Sequence, residues 1–154
     1  MSLVGKVEAD VELKASALGF LEMFSTKTYQ LPNIDPSFIQ SVEILAGQWG
    51  AIGLILLVHY TLDGKASVVK AEIEDINLID ISITFNVLEG DLLEQYKSIQ
   101  FIIKVTPKIL QLGSEVHWTI QYEKLNDQIP DPNSLLEEIL ELSKDIDASL
   151  NNLL

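Results

Sequence analysis

Two histidines, His59 and His117, are the side chains here whose ordinary titration range suits acid–base work near neutrality. Glu89 and Asp91 flank Gly90, and paired carboxylates can run glycoside chemistry or hold a hard cation. Gly47, Gly50 and Gly53 crowd one loop, a composition shared with phosphate cradles. Tyr60, Phe85, Trp118 and Tyr122 could build a binding wall, the tyrosines adding hydroxyls that need a partner. Whether any of this chemistry is assembled depends on the elements that carry these residues.

Those elements are legible as periods. Val7, Ala9, Val11 and Leu13 alternate with charged neighbours, the pattern of a half-buried strand. Ser16 caps a short amphipathic helix through Phe24, despite Gly19. Asp35 before Pro36 predicts a second short helix near Ser37 to Ile39. Strands follow over Ser41 to Leu45, Leu54 to Leu62 and Ala66 to Ile76, with Asp63-Gly64 as a hairpin turn. Three more carry Ile81 to Val87, Ile99 to Val105 and Val116 to Tyr122. Connections this short exclude crossover helices, so the strands are antiparallel. Leu135, Leu136, Ile139, Leu142, Ile146, Leu150 and Leu153 then recur at three or four, one apolar stripe on a long final helix.

These positions weaken the catalytic readings. Alternation turns Leu56, Val58, Tyr60, Val116, Trp118 and Ile120 inward, and so His59 and His117 outward on separate strands. The glycine loop opens a strand rather than a helix and has no Lys. Glu89 and Asp91 have no further oxygen ligands spaced around them. Asp131, in the first turn of the last helix, suits the helix dipole, and the acidic run beyond it reads as a solvated face. No metal site and no cofactor are expected.

Composition narrows the partners. The chain has 154 residues, one domain's worth over 1–154, and is 47% hydrophobic with a formal charge of −13. Its mean hydropathy is +0.23. All ten basic residues are Lys, there is no Arg, and Cys is absent. The charge speaks against nucleic acid and against anionic membrane surfaces. Without Cys there are no disulfides, thiolate metal sites or thiol nucleophiles. No apolar run approaches the ~20 residues of a spanning helix, and the start does not read as a signal peptide. A cytoplasmic monomer or weak homodimer, without stable membrane association, is the expectation.

A curved sheet of about seven strands with one apolar face, plus one helix with one apolar stripe, pack economically with the helix in the sheet's concavity. One helix rarely fills so wide a space. The inward residues are mostly aliphatic, so a dry hollow is expected, fit for an apolar molecule.

Several segments carry a resemblance at this point. Gly5 to Ala17, Leu31-Pro32-Asn33-Ile34-Asp35-Pro36 and Gly47-Gln48-Trp49-Gly50 resemble the major latex protein branch of the birch-pollen-allergen superfamily. So do Tyr60 to Lys65, Leu88 to Leu93, Tyr122 to Asn126 and Lys144 to Ala148, in order along nearly the whole chain. The resemblance implies an α+β helix-grip fold: seven antiparallel strands gripping a C-terminal helix, two short helices closing one end, and a large apolar cavity. It implies plant proteins of defence and stress that carry lipids, steroids, flavonoids or hormones. Ala46 and Gln48 stand where the family's glycine loop has acidic or amide residues, and Leu56 where the wider family often has Lys.

The expected cavity wall is Phe24, Leu56, Val58, Tyr60, Val68, Ile81, Ile83, Phe85, Ile99, Phe101, Ile103, Trp118, Ile120, Tyr122, Leu136, Ile139, Leu140 and Ser143. The expected function is carriage of a small apolar molecule. An enzyme of the same fold is the alternative, drawing on Tyr60, Tyr122 and, if their strand bulges, Lys70 or Glu72. A hormone-sensing protein is a third.

Overall fold

The structure is a computed structural model and describes residues 2–151, so the Leu153 end of the helix stripe lies outside the described residues. Seven strands form one antiparallel sheet in the order β1-β7-β6-β5-β4-β3-β2. They are β1 (Val4–Leu13), β2 (Ile39–Ala46), β3 (Ile55–Leu62), β4 (Lys65–Asn77), β5 (Ser82–Gly90), β6 (Tyr96–Pro107) and β7 (Ser114–Lys124). The alternation in β1 becomes alternating exposure, with Val11 and Leu13 buried and the charged residues out. The β3–β4 turn places Asp63 at φ 51° and Gly64 at φ 77°, the paired positive angles that a twist-matched two-residue hairpin requires.

Three helices complete the fold: α1 (Ala17–Glu22), α2 (Leu31–Ile34) and α3 (Asn133–Asn151). Ser16 caps α1 by accepting the Gly19 N–H at 3.1 Å. The second short helix lies before Asp35, not after it. Pro32 takes the first-turn position, Asp35 ends the helix, and Ile39 already begins β2. Two prolines compete for one start signal, and the earlier one wins because Ile39 is drawn into the sheet opposite Tyr60.

The apolar stripe of α3 faces the sheet, burying Leu135, Leu136, Ile139, Leu142 and Ile146. Asp147, on the same helix, accepts the Lys14 and Ala15 amides at 2.9 and 2.8 Å. That carboxylate pins the helix to the elbow between β1 and α1, and satisfies two amides that the strand leaves behind. Asp131 stands two residues before α3 rather than in its first turn. There it accepts the Tyr122 hydroxyl at 2.7 Å and pairs with Lys124 at 2.9 Å.

On the outer face, His117 sits between two carboxylates of β1. Its Nδ1 is 2.6 Å from Asp10 and its Nε2 3.0 Å from Glu8. Hydrogen bonds to Asp10, then Glu8, raise its pKa above the ordinary value against a smaller opposing effect of burial. A histidine held more tightly as the cation stabilises the fold fully below its unfolded pKa, near 6.5. That contribution is lost as pH rises through the higher folded value. A small drop in urea midpoint is therefore expected between pH 6 and pH 9. The drop should vanish in His117→Gln, and a slope that persists in that variant would assign it to another group.

Candidate functional site

Strand registers decide which side chains share the inner face. Phe85 pairs with Phe101, and Phe101 with Ile120; Ile83 pairs with Ile103, and Ile103 with Trp118. Tyr60 stands opposite Ser67 and Val58 opposite Val69. Cross-strand partners point to the same face. Between this face and α3 lies a hollow of about 130 Å³. Its lining comprises Phe24, Phe38, Ile39, Val58, Tyr60, Val69, Phe85, Leu92, Phe101, Trp118, Leu135, Ile139 and Leu142. Ten of these thirteen are buried, and only Val58, Val69 and Phe101 are half-buried, so little of the wall meets solvent.

The hollow is therefore real but small. The aromatics, few in number, are concentrated where they fill the span. The Phe24 ring meets Trp118 edge-on at 5.2 Å and Phe20 at 5.5 Å, and Phe38 meets Tyr60 at 6.2 Å. A space of this size admits one small ring, like the engineered cavities of about 150 Å³ that stay dry and bind benzene.

Of the expected wall, Phe24, Val58, Tyr60, Phe85, Phe101, Trp118 and Ile139 line the hollow. Leu56, Ile83, Ile99, Ile103 and Ile120 are on the inner face but packed solid, each 0–2% exposed. Leu136 is buried in the core and Leu140 packs at its margin. Ile81 is not in a strand; it sits in the β4–β5 turn at φ 53°. Val68 faces outward with its register partner His59, and Val69 takes the inner position. The physical reason is a bulge: Ile73 opposes Phe85 but Asp75 opposes Thr84, so Glu74 is one residue too many. An extra residue reverses the faces on either side of it.

The polar candidates are already engaged. Trp118 donates its indole N–H to Ser143 at 2.8 Å, and Ser143 donates to the Ile139 carbonyl at 2.9 Å. Tyr122 donates to Asp131, and burial followed by that bond pushes its pKa up to about 12. Lys70 and Glu72 flank the inward Ala71 on the outer face, with Lys70 3.6 Å from Glu89. Among the described residues, Tyr60 is the one titratable side chain in the wall. Burial first, then the Asp91 charge, with Ser67 opposing, sets its pKa at about 12.

Tyr60 also borders a neighbouring pocket. This second pocket, of about 320 Å³, is shared with Leu92, Asp63, Lys65, Ser67, Asp91 and Gln95. Leu92 and Leu135 border a third of about 140 Å³, reaching Tyr96 and Pro132. Residues 91–94 form a short 3-10 turn whose Asp91 carboxylate accepts the Val68 amide at 2.7 Å. Sequence reasoning missed Phe38 and Ile39, which fall at or beside the expected second helix, and Leu92, which it assigned to no wall. Leu135 and Leu142 were visible in the helix stripe.

A larger depression of about 600 Å³ lies on the outer face, crossed by the register row Lys6, Gln121, Gln100 and Asn86. Its amides and charges make it a polar surface rather than an apolar site. Among the described residues, no group of three or more His, Asp or Glu is placed to hold a metal ion. No described helix is long and apolar enough to cross a membrane.

The pathogenesis-related protein Bet v 1 family model matches residues 2–153. The chain belongs to the Bet v 1 family. Within that family it is 43% identical over 149 residues to MLP-like protein 43 of Arabidopsis thaliana, covering 97% of this chain and 94% of the relative. The crystal structure of major latex-like protein 151 from Panax ginseng superposes with TM-score 0.90 at 37% identity, over 96% of this chain and 97% of that one. Norcoclaurine synthase from Thalictrum flavum shares the fold at TM-score 0.80, but at 16% identity over 98% of this chain and 88% of the enzyme. That last likeness is one of fold alone. The Bet v 1 helix-grip architecture is thus what holds the hollow between sheet and helix, as the alternating strands and final stripe require.

Proposed function

We propose that this Bet v 1 family chain is a cytoplasmic plant carrier for small hydrophobic molecules, active in defence or stress. The observation that carries the reading is the hollow beneath α3, whose side chains are all aliphatic or aromatic. The apolar end of a ligand occupies that hollow. The polar end lies in the adjoining pocket beside Tyr60, Ser67, Asp91 and Gln95. This arrangement favours an elongated amphipathic molecule over a compact polar one. Fatty acids and single-ring, hormone-like molecules have that shape and size. Burial at ~25 cal/mol per Å² over a few hundred Å² of ligand supports micromolar affinity after the costs of association.

Catalysis has weaker support. A phenol that titrates near 12 is a poor base at neutral pH, and the other polar wall groups are committed to the protein.

Native purification followed by organic extraction and mass spectrometry tests the carrier. A thermal-shift panel of fatty acids, sterols, flavonoids and cytokinins accompanies it. A ligand at 100 times its Kd adds about 2.7 kcal/mol of apparent stability. Ile139→Trp is expected to occupy the hollow, abolish that shift and leave a cooperatively folded protein. Empty extracts with no shift across the panel, or binding unchanged in Ile139→Trp, would count against this site.

A further inference from the structure

The end of the sheet opposite the Asp63-Gly64 turn carries the β4–β5 and β6–β7 connections side by side, since β5 and β6 are neighbours. Val105 of β6 donates to the Ile81 carbonyl at 2.9 Å, which holds the first connection against β6. At their tips the apolar residues are out in water. Leu78 is 69% exposed, and Ile79, Ile109, Leu110 and Leu112 are 94, 85, 102 and 94% exposed. Ile52, on the β2–β3 loop at the same end of the sheet, is 60% exposed. Exposed aliphatic residues gathered at one end of a sheet mark a contact site.

The tips are built to present these side chains. Asn77 accepts the Ile79 and Asp80 amides at 2.9 and 3.0 Å, fixing the first tip. Lys108 donates to the Gly113 carbonyl at 3.1 Å, closing the second at its base. Residues 78–79 and 109–112 carry no charge in a chain of net charge −13. Of the charged residues that flank them, Lys108 is paired with Glu12, and the Asp80 carboxylate beside Ile79 is turned back to accept the Asn77 side-chain amide at 3.1 Å.

Shape and charge select the partner. A stable protein interface takes roughly 800 Å² and 20–30 residues from each side. Two narrow tips of two and four uncharged residues offer far less than that. A bilayer needs no complementary surface, only apolar side chains that reach the headgroup–acyl boundary. The acidic body opposes an anionic leaflet, so the bilayer that fits is zwitterionic. We infer that the Leu78-Ile79 and Ile109-Leu110-Leu112 tips dip reversibly into the interface of a neutral phospholipid bilayer. The inference does not depend on what the hollow holds, and failure of the ligand extraction would leave it standing.

Flotation of the full chain with phosphatidylcholine vesicles tests it. The protein is expected to co-float, with little response to salt, and less so when about a third of the lipid is phosphatidylserine. The triple variant Ile79→Asp, Leu110→Asp, Leu112→Asp is expected to lower partitioning roughly tenfold or more, because each added carboxylate resists leaving water. Its melting should match the parent, since all three side chains are outside the core; the milder Ile79→Ser, Leu110→Ser pair serves if it does not. Absence of flotation, or flotation unchanged in these variants, would overturn the inference. So would a solution dimer without flotation that the variants dissociate, which would make a second copy the partner.

Discussion

Gly90→Ala is expected to destabilise the protein by about 3 kcal/mol, an unusually large effect for one methyl group. Gly90 ends β5 at φ 125° and ψ −173°, a region that glycine alone occupies freely. A Cβ there would press on the Val68 carbonyl oxygen and the Val69 Cα of the neighbouring strand. Neither atom is the far end of a flexible side chain, so the strand itself must move. That movement takes the Val68 amide away from Asp91, and with it the turn bearing Leu92 at the mouth of the hollow. Gly64→Ala is the control. Its φ is also positive, at 77°, but nothing stands within 4 Å of the added carbon. Only the backbone cost of about 1 kcal/mol applies there. Urea unfolding of both variants compares the two sites, and equal losses would show that neither the Val68 contact nor the more extreme backbone angle at Gly90 adds a cost.

Trp118→Ala is expected to cost about 3–5 kcal/mol, the range for removing a large buried aromatic. Trp118 is 3% exposed, carries the Phe24 edge contact and anchors Ser143 of α3 through its indole N–H. Truncation removes all three and opens the hollow toward the helix. Trp118→Phe keeps most of the packing and loses chiefly the hydrogen bond, for about 1 kcal/mol. The alanine variant should also recover more stability than the parent when a bulky apolar ligand is added, since the enlarged space then finds an occupant. Denaturant midpoints with and without ligand check both halves. A loss no larger than that of Trp118→Phe would mean the site collapses and the hollow does not grow.

The fold was legible because period two and period 3.6 are written plainly in this chain. The final stripe from Leu135 to Ile146 and the alternation in β1 leave no competing element. The second short helix was misplaced because Pro32 and Pro36 offer equal local signals, and only the pairing of Ile39 with Tyr60 chooses between them. The wall was legible in part. Counting inward positions back from Ile76 selects Val68, but the extra Glu74 reverses the count, and the hollow receives Val69. A bulge has no fixed sequence mark, so parity counts fail silently across it.

The histidines show the other side of this. Alternation alone placed His59 and His117 outward, away from the apolar face. It took the β1–β7 register to set His117 against Asp10, and the side-chain reach to bring Glu8 to the other ring nitrogen. Asp147, which resembled one more charge on a wet helix face, proves to hold the Lys14 and Ala15 amides across 133 and 132 residues of chain.

By itself the sequence determined the layers, the antiparallel pairing, the face each strand buries away from bulges, and the segments that mark the family. These follow from local periodicity and from short connections, which need no distant contact to act. The tertiary structure alone decided how much space remains inside and which residues border it. Volume between a sheet and a helix is a small difference between large packed quantities, set by where Phe24, Phe38, Phe85, Phe101 and Trp118 meet. It alone also brought Leu78-Ile79 and Ile109-Leu110-Leu112 to one end of the sheet, where apolar residues some thirty positions apart stand exposed.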